Sequence, residues 1–192
     1  MLIVVRHGRT ADNAAGRLLG RADPDLDAEG ERQAVAVAAA VGPVDRVVTS
    51  PLLRARRTAH AFAVEAEVDE RWIELDYGVL DQLATADVPA ETWVRWRTDP
   101  HFAPPGGESL GALAARVSAA ADDLLAAASD TTIVVVTHVS PIKAVLSWAL
   151  GGVSQVGFRT RVGQPSITRI GVGAEGPVLH TFNESPPPLP IG

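Results

Sequence analysis

The tetrapeptide Arg6-His7-Gly8-Arg9, set directly behind the apolar run Leu2-Ile3-Val4-Val5, has the residue types for chemistry on a phosphoryl group. A neutral imidazole is a competent nucleophile, and a planar guanidinium fork matches two oxygens of a phosphoryl group at once. Two more segments carry groups of the same kind behind apolar runs. Val44 to Thr49 leads into Ser50-Pro51 and then Arg54, with Arg56 and Arg57 close by. Thr132 to Thr137 leads into a second histidine, His138. Three apolar runs therefore end in Arg-His, in Ser-Pro-x-x-Arg and in Thr-His.

Short runs of branched aliphatics read as strands buried on both faces of a parallel sheet. In such sheets ligands bind outside the carboxyl ends of the strands. If the three runs are parallel neighbours, their polar endings gather along one edge. The positioning helices are also legible. Ser50 suits an N-cap and Pro51 the first helical position, placing Arg54 about one turn into the helix. A helix is expected over Ala28–Val41 with Asp27 as its cap, another over 112–128 entered from Ser109, and a third from Pro141 through Leu150, stopped by Gly151-Gly152. Ile167–Val172 and Val178–Phe182 read as late strands joined by a glycine-rich turn. The stretch 76–107 has no clear strand signal and carries Trp93 and Trp96, which reads as a lid. The expected architecture is an α/β three-layer sandwich: a mostly parallel central sheet, helices on both faces, and a small lid over the carboxyl ends of the strands. One domain over 1–183 and a proline-rich tail over 184–192 are expected.

With 192 residues, 46% hydrophobic and 21% charged, the composition is that of an ordinary globular domain. There is no cysteine, which excludes disulfides, thiolate metal sites and a cysteine-dependent phosphatase. The net charge of −6 argues against nucleic acid or an anionic membrane as partner, so the arginines form a local positive site suited to a small anion. No stretch is long and apolar enough to span a membrane, and the first strand begins at Leu2, so a cytoplasmic location is the expectation. Asp23-Pro24-Asp25-Leu26-Asp27 alternates acids like a calcium loop but has Ala28 and Ala34 where that loop needs glycine and glutamate. The five histidines lack zinc spacing, and no Walker A or G-x-S-x-G occurs.

Taken together the motifs resemble those of the histidine phosphatase (phosphoglycerate mutase-like) superfamily. The resemblance rests on Arg6-His7-Gly8 followed by Thr10 and Asn13, then on Ser50, Pro51, Arg54, Ala55, Thr58 and Ala59. It continues through the acidic segment Asp69 to Gly78, Pro105-Gly106-Gly107-Glu108-Ser109, and Val136-Thr137-His138. The chain departs from the family pattern at Val139-Ser140-Pro141 after the second histidine, at Gly78-Val79-Leu80-Asp81-Gln82, and at Gly163-Gln164. The resemblance implies a phosphomonoesterase acting through a phosphohistidine on a small phosphorylated metabolite. It implies catalytic roles for His7, Glu74, His138, Arg6 and Arg54, and substrate contacts from Arg6, Thr10, Asn13, Arg54 and His138. His7 would be the nucleophile and Glu74 the proton donor; neither metal nor other cofactor is needed, and a homodimer is left open. The plainer readings are that Thr10 and Asn13 are turn residues, Glu108 and Ser109 cap a helix, Trp93 and Trp96 are lid core, and His60, His101 and His180 are ordinary. Two rivals remain: a cofactor-dependent phosphoglycerate mutase, and an idle member that binds phosphate esters or a protein partner.

Overall fold

Four branched-aliphatic segments form the centre of one mixed six-stranded sheet in a computed structural model that describes residues 1–152 and 154–187. In chain order the strands are β1 (Leu2–Arg6), β2 (Arg46–Thr49), β3 (Ala66–Val68), β4 (Ile133–Thr137), β5 (Ser166–Gly173) and β6 (Gly176–Glu184). Across the sheet they run β3-β2-β4-β1-β5-β6. The first four are parallel, and β5 and β6 return antiparallel. The three strands with chemistry at their ends, β2, β4 and β1, are thus adjacent and parallel. In register, Arg6 pairs with Thr137 and Thr49 with Val136, so the three endings lie level. β3, a three-residue edge strand, carries no periodic signal and was not anticipated.

Alternation along the central strands sends side chains to two cores. Leu2, Val4, Val48, Ile133 and Val135 pack on one face with α5 (Leu110–Leu125) and α6 (Val139–Ala149). Ile3, Val5, Val47, Val134 and Val136 pack on the other with α2 (Ala28–Val41) and α3 (Leu53–Ala59). This two-sided burial is why the strands read as unbroken apolar runs. The expected α/β three-layer sandwich is the observed one. α2 has the expected bounds and cap: Asp27 Oδ1 accepts from the Gly30 N–H at 2.8 Å. Ser109 caps α5 as expected, accepting from Ala112 N at 3.2 Å. β6 takes in Glu184, whose carboxylate pairs with Arg169, so the folded chain runs one residue past the expected boundary. The expected tail otherwise lies mostly outside the described residues.

Three helix starts differ from the reading: α5 runs Leu110–Leu125 where 112–128 was expected, because Ser109 caps it directly. α3 begins at Leu53, with Leu52 at the cap position and no side-chain cap. Ser50 is not the N-cap: its hydroxyl meets His138 Nε2 at 2.7 Å and accepts from Leu52 N at 3.4 Å, ahead of the helix. The free N–H of Leu53 is taken by Asp23 Oδ1 at 2.7 Å. α6 begins at Val139, two residues before Pro141, with His138 itself at the cap position. Pro141 then stands in the first turn, where its missing N–H is no loss.

The stretch 76–107 forms the lid. It consists of short 3-10 turns at Gly78–Leu80 and Thr85–Asp87 and helix α4 (Ala90–Thr98), with a small core of Leu18, Val88 and Trp96. Trp93 and Trp96 meet edge to face at 5.2 Å between ring centroids, and Tyr77 approaches Trp96 at 5.8 Å.

Candidate active site

His7 leaves the end of β1 with its backbone N–H bonded to Thr137 O at 3.0 Å, so the strand ladder fixes its Cα. Its Nδ1 lies 2.7 Å from Gly8 O. A carbonyl oxygen only accepts, so Nδ1 carries the proton and Nε2 keeps its lone pair. The loop after it is held from three sides. Gly8 N donates to Thr58 Oγ1 on α3 at 2.9 Å, and Gln164 Nε2 donates to Gly8 O at 3.2 Å. On the third side α2 presses so closely that a Cβ on Gly8 would stand 2.3 Å from Gly30 O, and one on Gly30 would stand 2.0 Å from Arg9 O. Two glycines are needed where these backbones meet.

Around this imidazole stand Arg6, Arg54 and His138. Arg54 is fully buried. Its guanidinium donates to Ala22 O at 2.7 Å and Gly20 O at 2.8 Å, carbonyls of the loop after α1 (Ala11–Ala14). That loop is itself fixed by Asp81, whose carboxylate accepts from the N–H groups of Gly20, Arg21 and Ala22 at 2.7, 2.9 and 2.8 Å. Asp81 stands in the segment that departs from the family pattern, and its role as a tie for the Arg54 cradle was not read from sequence. Arg6 Nη1 donates to Val162 O at 3.0 Å. The Nε atoms of both arginines are buried without a partner among the described residues. His138 is fully buried, its ring centroid 4.9 Å from that of His7, and its Nδ1 also lacks a partner there.

Burial lowers the pKa of His7 well below its ordinary value, helped by the charges of Arg54 and Arg6. His138 is lowered in the same way, by burial first and then by Arg54, His7 and Arg6. Both imidazoles are therefore neutral at pH 7. Burial also brings Arg6 down to about 10, still cationic at that pH.

Glu74 is the one carboxylate on the cavity wall beside His7 among the described residues. Its Oε1 accepts from Leu75 N at 2.7 Å and from Ser140 N, at the start of α6, at 3.2 Å. Burial pushes its pKa up; these hydrogen bonds and Arg54 oppose the shift without cancelling it. Such a carboxyl can hold a proton where a surface glutamate would not. Its backbone is clamped by Arg116, which was not singled out in the sequence. Arg116 donates to Arg71 O, Ile73 O and Glu74 O at 2.7, 2.8 and 3.3 Å, and is itself gripped by Glu108 at 2.7 and 2.8 Å. Glu108 acts as this clamp's counter-ion and does not cap α5. No sequence period marks Arg116, which is one arginine on the face of a long helix.

The substrate-contact candidates divide. Asn13 lines the cavity. Its Oδ1 accepts from Thr10 N, Thr10 Oγ1 and Gln164 Nε2 at 3.2, 3.1 and 2.8 Å, which orients the amide. Thr10 is not on the wall: it is fully buried and its hydroxyl closes the capping box of α1. Thr10, expected to contact substrate, positions Asn13 through these bonds. Arg54 and His138 lie buried next to His7 rather than on the open wall. His60, His101 and His180 are exposed and off the wall. Among the described residues no group of three His, Asp or Glu side chains is arranged to hold a metal ion.

The fold and site define an α/β domain with two histidines and the half-buried Arg6 at the carboxyl ends of adjacent parallel strands, and the buried Arg54 on the helix that follows a third. A sequence model of the histidine phosphatase superfamily (branch 1) matches residues 2–185, and the chain belongs to that superfamily. A bifunctional protein of Mycobacterium tuberculosis is 35% identical over 91% of this chain, which spans only 51% of that protein's length. A probable phosphoglycerate mutase of Proteus mirabilis is 35% identical over 87% of this chain and 82% of its own. Among solved structures, a mycobacterial glucosyl-3-phosphoglycerate phosphatase in complex with VO3 superposes with a TM-score of 0.84 at 31% identity, covering 96% of this chain and 98% of that one. No helix among the described residues is long and apolar enough to cross a membrane.

Proposed function

We propose that this domain is a phosphomonoesterase that hydrolyses a small phosphorylated metabolite through a phosphohistidine at His7. The observation that carries the reading is the His7 ring. Its Nδ1–H is fixed on Gly8 O, leaving Nε2 its lone pair; the charges of Arg54 and Arg6 act on the ring, and a buried Glu74 that favours its protonated form lines the same cavity. In the first step Nε2 bonds to phosphorus as the bond from phosphorus to the leaving oxygen breaks, and Glu74 gives that oxygen a proton. In the second step Glu74 takes a proton from water, which attacks phosphorus. The N–P bond breaks, and inorganic phosphate and neutral His7 are released. Arg6, Arg54, Asn13 and His138 would donate to the phosphoryl oxygens as charge spreads over them. Arg6 and Arg54 supply the positive charge, so turnover should persist with chelator present, and we place the activity in the cytosol.

Rapid mixing with a 32P-labelled ester, followed by alkaline quenching, tests the reading. Acid-labile label should appear on His7 and disappear as free phosphate forms. Label elsewhere, or none, would overturn it. The likeness to a probable phosphoglycerate mutase gives a second reading, separated from the first by assaying isomerisation of 3-phosphoglycerate with bisphosphoglycerate present.

A further inference from the structure

The cavity that starts at His7 continues far past the space that a phosphoryl group needs. Its volume is ≈ 820 Å³, toward the upper end of the ~300–1,000 Å³ usual for pockets that enclose drug-sized ligands. Beyond Arg6, His7, Asn13 and Glu74 the wall changes character. It is formed by Leu18, by Trp93 and Trp96 of α4, by Leu113 of α5, and by Val139 and Trp148 of α6. Trp148 satisfies its own polar edge by donating Nε1 to Asp122 at 2.8 Å, so it asks nothing of a ligand. The lid indoles stand edge to face with each other, and such an aromatic pair is well suited to receive a further ring.

A short hydroxy acid would leave most of this volume filled with water. A sugar would find only scattered groups, the hydroxyls of Thr98, Ser118 and Ser147 and the Nε1 of Trp96, among leucine and tryptophan, too few for all of its own hydroxyls, and that mismatch is penalised. An apolar ring gains from each patch it withdraws from water. The cations on the wall beyond the phosphate end are Arg17, Arg97 and Lys143. Lys143 has no ion-pair partner among the described residues and burial lowers its pKa, so it can serve one acceptor group on the ligand.

Resting on the proposed phosphatase activity, we infer that the leaving group is a bulky, ring-bearing, largely apolar alcohol. The phosphate end reads the ester, and the lid, α5 and α6 read the ring.

The test compares primary alkyl phosphates of like leaving-group chemistry: propyl, 3-phenylpropyl and glycerol 3-phosphate. Ring burial should raise kcat/KM for the phenylpropyl ester over the propyl ester on the order of tenfold or more, with glycerol phosphate below both. Ala114, on α5, lines the same wall and is none of the groups assigned to the reaction. Ala114→Trp, which fills the ring space, should erase the preference and leave propyl phosphate turnover unchanged, which also shows the variant is folded. Equal kcat/KM for propyl and phenylpropyl phosphate in the unaltered protein would overturn the inference while leaving the phosphatase reading intact. If no ester is hydrolysed, binding of the matching phosphonates decides. Tighter binding of the phenylpropyl phosphonate would uphold the ring pocket and discard the phosphatase reading; equal or absent binding would discard the pocket.

Discussion

The two ends of the one cavity are built by opposite means. At the phosphate end the reactive side chains are held by directed hydrogen bonds: His7 by Gly8 O, Arg54 by Gly20 O and Ala22 O, Glu74 by the N–H groups of Leu75 and Ser140, and His138 by the Ser50 hydroxyl. At the lid end Trp93, Trp96 and Leu18 meet through apolar contact. Hydrogen bonds fix direction, whereas apolar packing fixes volume and tolerates change. One end can therefore set the reaction and the other the choice of alcohol. That division of labour can be broken in graded ways.

The largest effect is expected for His7→Ala. Loss of a nucleophile lowers kcat by ~10⁴-fold or more, and the phosphoenzyme should vanish from the quench. Retained phosphoenzyme would place the reaction elsewhere in the cavity.

Glu74→Gln should lower the single-turnover rate of phosphorylation by ~10²–10⁴-fold for an alkyl phosphate. An aryl phosphate with a good leaving group should lose far less in that step. In the same comparison the basic limb of the pH profile should disappear, because a carboxyl with a raised pKa acts as an acid up to that raised value. Equal losses for both esters would move the acid to another residue.

Gly30→Ala probes the loop beneath His7. Alanine ordinarily favours a helix by up to ~1 kcal/mol over glycine. Here its Cβ would meet Arg9 O at 2.0 Å, and overpacking of that kind costs ~1–3 kcal/mol. Thermal unfolding should show a lower Tm. A higher Tm would mean the loop is not clamped.

Anion binding at the phosphate end should take up protons. His7 and His138 have pKa values lowered by burial and by arginine, so each folded-state pKa lies below its unfolded value. Their stabilising contribution is therefore full above the ordinary histidine pKa and is lost as pH falls through the depressed values. Vanadate offsets the arginine charge and should raise His138 again. Calorimetry at pH 6 in buffers of different ionisation enthalpy should show net uptake, absent in His138→Gln. No uptake in the unaltered protein would separate His138 from the anion.

The smallest effect is expected at the lid. Trp93→Ala should leave phosphohistidine formation from a small ester unchanged and raise KM only several-fold for a ring-bearing one, since part of a wall is removed. A loss comparable to that of Glu74→Gln would dissolve the contrast between the two ends.

The sequence by itself located the central strands and the histidines and arginines at their ends, though not the edge strand β3. Strands buried on both faces have to be unbroken apolar runs, and the residue that ends such a run falls at the sheet edge, so Arg6, His7 and His138 could be located from local order alone. α2 was equally plain because its cap and its period lie within one segment. Other features were decided only by tertiary structure. Ser50 looked like an N-cap and became a partner of His138, which is 88 residues away in the chain. Arg116, Glu108, Asp81 and Gln164 hold the site through hydrogen bonds and ion pairs between separate segments. A local period records which face of an element is buried. A bond between distant residues leaves no period in either segment, and it exists only once the chain has closed.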